Sequence, residues 1–112
     1  MALKTTNFYV ESMKETLPTA YAFIREISAD AYGNGKARIA VHKTRELASN
    51  PAVRPYHEEF VRFKVNRSKN DRETAYLAAK AYTPEEKTVW QGQEFVKPAE
   101  KAFFYGWEDD IV

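Results

Sequence analysis

The sequence predicts an α+β fold, mainly β: an antiparallel sheet or small β-sandwich carrying one α-helix at about 71–82. Three observations lead there. Residues 58–65 (EEFVRFKV) alternate apolar and charged side chains with the two-residue period of a half-buried strand. Gly33-Asn34-Gly35 separates two runs of strand-forming residues and supplies the backbone freedom of a tight turn. Ala75, Ala78, Ala79 and Tyr82 recur at i, i+3, i+4 and i+7, one face of a helix.

Taken in order, residues 3–10 (LKTTNFYV) suit a strand through Thr, Phe, Tyr and Val. Residues 11–16 are polar and Pro18 resets the chain. Residues 19–28 (TAYAFIREIS) form the next strand, with Tyr21, Phe23 and Ile27 on one face, Arg25 interrupting it, and Ala20, Ala22 and Ile24 on the other. After the 29–35 turn, residues 36–46 return as a strand, so 19–46 reads as a hairpin. Residues 47–56 hold two prolines and read as a loop. In 58–65, Val61, Phe63 and Val65 point inward, and Arg62 and Lys64 outward. Asn70 or Asp71 caps the helix, with Glu73 three residues after Asn70, and Thr83-Pro84 ends it. Residues 87–96 (KTVWQGQEFV) read as a strand with Gly92 at a bulge or turn. Phe103, Phe104, Tyr105 and Trp107 then precede an acidic end. The sum is about five strands and one helix in a single domain, 1–112.

The bulk numbers fit that reading. A chain of this size buries roughly two-thirds of its unfolded surface, enough for one core without staples. Hydrophobic residues are 44% and charged residues 29%, while aromatics reach 14%, which argues against disorder and for a core or interface built on large flat side chains. With no cysteine, disulfides, thiolate zinc sites and thiol nucleophiles are excluded. No apolar run has the length of a signal peptide or a membrane span, so no membrane association is expected. The net charge of +1 is unevenly spread: residues 36–72 carry ten Lys/Arg against four acids, and residues 84–112 carry three Lys against seven acids. Basic middle and acidic end can attract each other within the fold or head-to-tail between copies, although the plainer reading is that both are solvated surface.

Catalytic patterns are missing. His42 and His57 have no metal-ligand spacing, and the sequence contains neither a nucleophile elbow nor a phosphate-binding loop. Glu58-Glu59 and Asp109-Asp110 are adjacent pairs, and neighbours on an extended strand point to opposite faces. The expectation is a non-enzymatic binding or assembly protein without cofactor or metal. Its candidate interaction surface comprises Pro55 and Tyr56 in the Pro-flanked loop and Phe103, Tyr105, Trp107, Asp109 and Asp110 at the aromatic-acidic end. At least two of Phe103, Phe104 and Trp107 are expected in the core. The alternative is single-stranded nucleic-acid binding through Arg62, Lys64, Arg67, Lys69 and Arg72, with Tyr56 and Phe60 nearby. The pI of about 7.9 is low for that role.

Leu17-Pro18-Thr19-Ala20-Tyr21 leads into Phe23-Ile24-Arg25-Glu26-Ile27. A glycine turn precedes Ala37-Arg38-Ile39-Ala40-Val41, and the alanine-rich run 74–80 and an acidic end follow. This order resembles a class of short proteins encoded among the tail genes of siphophages of Gram-positive bacteria. In that class an x-P-x-A-Y segment, a hairpin, one helix and an acidic end recur. Within it the chain looks like a small Bacillus siphophage tail-region product, similar in fold to the shoulder domain of lactococcal phage receptor-binding proteins. Residues 84–101 depart from that pattern. The resemblance implies attachment at the tail tip or baseplate through tail or baseplate proteins or self-association, without catalysis. It also implies synthesis in the host cytoplasm and a place in the virion tail.

Overall fold

Thr and aromatic-rich runs at the start of the chain pair as long strands, and a computed structural model describes residues 1–110. The elements run β1 (Ala2–Val10), β2 (Glu15–Ala29), β3 (Asn34–His42), α1 (Arg45–Ser49), β4 (His57–Lys64), α2 (Asp71–Ala79), β5 (Tyr82–Thr83), β6 (Glu86–Trp90), β7 (Gln93–Lys97), β8 (Glu100–Lys101) and β9 (Glu108–Asp110). Five strands form one antiparallel sheet in the order β4-β3-β2-β1-β9; β5 pairs with β8, and β6 with β7. The mainly β, antiparallel α+β expectation holds.

One face of the sheet presents Leu3, Ala22, Ile24, Ile39, Val41, Ala37 and Phe63, and α2 lies on it through Ala75, Tyr76 and Ala79. Small alanines let the helix approach closely, as the sequence suggested. Asn70 caps it, its Oδ1 accepting the Glu73 N–H at 2.8 Å. The helix ends at Ala79 rather than near 82. Tyr82 leaves it to pair with Lys101, and its ring tilts against Tyr105. Val65 lies beyond the end of β4 and is exposed rather than inward.

A second, short helix covers the opposite face. Thr44 caps α1, its Oγ1 accepting the Leu47 N–H at 3.2 Å, so the strand expected over 36–46 stops at His42. The residues expected as loop begin with this helical turn.

Two irregularities shape β2. Pro18 lies inside the strand rather than before it. Its missing N–H falls at a gap in the ladder, opposite Asn7, whose φ of 54° kinks β1. The inward side chains change parity there: Leu3 and Ala22 on one side, Phe8, Val10 and Leu17 on the other. A β-bulge follows at Ile24/Glu26, where Arg25 is the extra residue. Beyond it Ile27 pairs with Ala37 and rejoins the Ile24 face. The alternation that set Ile27 with Tyr21 and Phe23 is therefore reversed.

Both helices are fastened at that bulge. The Ile24 N–H donates to Tyr76 Oη at 2.9 Å, and the Ile24 carbonyl accepts from Arg72 at 3.0 Å. On the other side, Arg25 donates to the carbonyls of Ala48, Val53 and Leu47 at 2.8, 2.8 and 3.1 Å, holding α1 and the following loop.

The sheet is strongly curled. In a flat sheet β1 and β4, three positions apart, would lie about 14 Å from each other. The ring of Phe8 in β1 nevertheless comes within 6.5 Å of His57 in β4. The kinked end of the β1–β2 hairpin closes over the core towards Phe103 and Trp107.

Candidate functional site

The aromatic end of the chain divides between core and surface. Phe104 is fully buried, and Trp107 is half-buried with its ring edge-on to Phe8 and Phe104. Phe103 stacks on His57 at 4.5 Å with an outer face exposed, and Tyr105 lies beneath the Lys101 ammonium. Pro55 is half-buried. Tyr56 stacks on the buried His42 at 4.1 Å, and its N–H donates to the Val41 carbonyl.

The two acids of β9 point to opposite faces, as extended neighbours must. Asp109 meets Lys80, the C-cap of α2, at 2.6 Å on one side; Asp110, nearly buried, meets Arg45 of α1 at 3.7 Å on the other. Basic middle and acidic end are thus joined within the chain. These carboxylates fasten β9 to both helices, Asp109 remaining partly exposed and Asp110 nearly buried. Ile111 and Val112 of the acidic end lie outside the described residues. Glu58 and Glu59 also diverge, Glu58 to Arg38 at 3.1 Å and Glu59 to His57 at 2.8 Å.

The basic candidates separate too. Arg62, Lys64, Arg67 and Lys69 are exposed. Arg72 is not available: its guanidinium holds the Ile24 carbonyl and covers the Phe23 ring at 4.9 Å. Among the described residues no three His, Asp or Glu side chains are grouped as metal ligands.

Of the bulge or turn read at Gly92, the turn is what forms, and the feature that sequence reasoning missed is the exposure of the resulting β6–β7 hairpin. Gln91 and Gly92 both take positive φ, 50° and 79°, as a two-residue type I′ turn requires. The register runs from Glu86↔Lys97 to Trp90↔Gln93. Thr88, Trp90 and Phe95 share one face. Val89 and Val96 share the other with Lys87 and Glu94, whose charged ends stand 4.0 Å apart. Every residue of both strands is exposed, Val89 at 72% and Trp90 at 65%. Among the described residues the hairpin's two strands pair only with each other. The outline is elongated, 54 × 37 × 22 Å, with a radius of gyration of 16.4 Å, where a compact chain of this size has about 13 Å. The hairpin's signal in the sequence is the apolar pairs Val89-Trp90 and Phe95-Val96 placed symmetrically about Gln91-Gly92. No family model, characterised protein or solved structure matches the chain.

Proposed function

We propose that the chain is a non-catalytic structural or accessory protein of a tailed phage, attached at the tail tip or baseplate by docking of the β6–β7 arm. The docking half of this reading rests on one observation: Trp90 and Phe95 on one face of the hairpin, and Val89 and Val96 on the other, all stay exposed among the described residues. A two-stranded hairpin alone is marginal in water. Clustered exposed aromatic and β-branched side chains mark interaction sites, and Trp is the residue most often found at the energetic centre of one. The phage half is supported by the resemblance carried by residues 17–27, 37–41 and 74–80 and the acidic end. No helix among the described residues is long and apolar enough to cross a membrane.

The test is made on particles. Mass spectrometry of purified virions is expected to detect the chain. A W90S/F95S variant, which alters only exposed side chains, is expected to keep its melting temperature and disappear from the particles. Absence of the wild-type chain from virions refutes the tail placement, and incorporation of the variant at the wild-type level refutes the role of the arm.

A further inference from the structure

Beyond the arm, the α1 side of the sheet is bare over its outer half, and its charges are not matched there. The register sets Lys36 directly opposite Arg62, Asn34 opposite Lys64, and Arg38 opposite Phe60, so these six side chains share one face. Like charges directly opposite one another destabilise an antiparallel pair. The nearby acids are already engaged. Glu26 and Glu58 lie 3.3 and 3.1 Å from Arg38, and Asp30 accepts the N–H groups of Tyr32 and Asn34 in its own turn. Those amides hold the Asp30 carboxyl below its ordinary range, so it stays an anion committed to the turn. Lys64 reaches the Asn34 amide oxygen. Among the described residues Lys36 and Arg62 have no acidic partner.

An aromatic platform adjoins these cations. Phe60 is 73% exposed, one step along β4 from Arg62, and Tyr32 is 89% exposed at the turn. Two adjoining hollows follow the same face. One of about 550 Å³ is lined by Phe60, Arg38, Lys36 and the Arg38-bound Glu26, and one of about 430 Å³ by Ser28, Lys36, Arg62 and the turn-bound Asp30, among others. An apolar ring lying open beside unpaired cations is the arrangement that holds a single strand, with bases on the ring and phosphates along the charges. A duplex keeps its bases stacked and offers Phe60 no free face.

We infer that this face binds single-stranded nucleic acid, a base stacking on Phe60 while phosphates lie against Lys36, Arg62 and Lys64. The surface differs from the stretch suggested by sequence alone. Lys36 joins it from the neighbouring strand, Arg72 leaves it, and Arg67 and Lys69 stand in the adjoining turn as longer-range attraction. The inference is independent of the arm.

Fluorescence anisotropy with a labelled oligothymidylate tests it on the full chain. Binding is expected at low salt, weakening with a double-logarithmic slope of about −2, since three phosphate contacts on a single strand contribute roughly −0.7 each. K36S/R62S is expected to flatten that slope to about −0.7. F60A is expected to weaken binding roughly ten-fold with the slope unchanged, because it removes stacking and no charge. All three positions are exposed, and circular dichroism checks that the variants fold. W90S/F95S binds as the wild type does, which separates this surface from the arm. Absence of binding at low salt overturns the inference. So does binding that polyglutamate displaces as well as oligonucleotide does and that F60A leaves unchanged, because the partner is then an acidic protein segment.

Discussion

Replacing Tyr76 with Phe removes one oxygen atom from the middle of the fold and leaves the ring in place. Tyr76 is fully buried. Its hydroxyl accepts the Ile24 N–H at 2.9 Å and donates to the Met1 carbonyl at 3.3 Å. Burial pushes the phenol pKa up, so the group stays neutral and keeps its proton. The last pair in the β1–β2 register at this end is Leu3↔Ala22, and Ile24 lies beyond it. Without the hydroxyl, a buried N–H is left unsatisfied, which costs about 1–3 kcal/mol. Met1 is only partly buried, so water replaces the donor lost to its carbonyl, and a value near the middle, about 2 kcal/mol, is expected. For a chain of this length that corresponds to a melting temperature lower by about 8 °C. Urea or thermal unfolding followed by tryptophan fluorescence measures it, with Y32F, at an exposed position, as a control expected to change stability by less than about 0.5 kcal/mol. Hydrogen exchange adds a site-specific readout: the Ile24 amide should exchange about thirty-fold faster in Y76F. A melting temperature within about 2 °C of wild type, together with unchanged Ile24 exchange, refutes the assignment of this hydroxyl as the acceptor at the bulge.

Two further expectations follow from packing and titration. A Cβ at Gly35 would stand 2.2 Å from Cζ of Phe63, whose ring lies across the glycine, so G35A should lower the urea midpoint by the equivalent of about 1–3 kcal/mol. G35A/F63L should recover part of that loss, and strict additivity of the two changes would argue against the contact. His42 is buried, and desolvation, followed by the charges of Lys43 and Arg25, lowers its pKa; its Nδ1 accepts the Lys43 N–H at 2.9 Å. The folded state thus holds the ring neutral, while the unfolded ring takes a proton near its ordinary pKa of about 6.5. Stability from this site is fully present above that pH and is lost as pH falls from there towards the lower folded value. Unfolding midpoints between about pH 7.5 and pH 5 should decline in wild type and decline less in H42Q, and equal slopes would refute the role of His42.

Much of the fold was legible because local rules and tertiary packing agree. The alternation in 58–65 became β4, Asn70 caps α2 as its spacing with Glu73 suggested, and the 33–35 glycines close the β2–β3 hairpin. Where the sequence misled, the deciding partner lay far along the chain. Arg25 reads as a charge interrupting an apolar face, and only the carbonyls of Leu47, Ala48 and Val53 explain it. Pro18 reads as a strand breaker because its tolerance depends on the kink at Asn7 across the ladder. The aromatic end was correctly suspected of joining the core through Phe104 and Trp107. Asp109 and Asp110 looked available because Lys80 and Arg45 reach them only once both helices are docked. The arm was hidden for a simpler reason: exposure cannot be read from residues that would suit a core equally well.

The bulge at Arg25 also governs which changes of chain length the protein can survive. Upstream of it the even-numbered residues of β2, Ala20, Ala22 and Ile24, face α2; downstream the odd-numbered Ile27 does. Deleting Arg25 itself would leave Ile24, Glu26 and Ile27 opposite Ile39, Arg38 and Ala37 in plain alternation, whereas deleting a residue elsewhere in the strand would turn one of its ends inside out. A one-residue deletion in β2 outside the bulge therefore acts on the whole sheet, while loss of Arg25 keeps the faces and gives up only its hold on the carbonyls of Leu47, Ala48 and Val53. The turns at 30–33 and 91–92 bear no such parity, so a change of length there does not by itself reverse the faces of a strand.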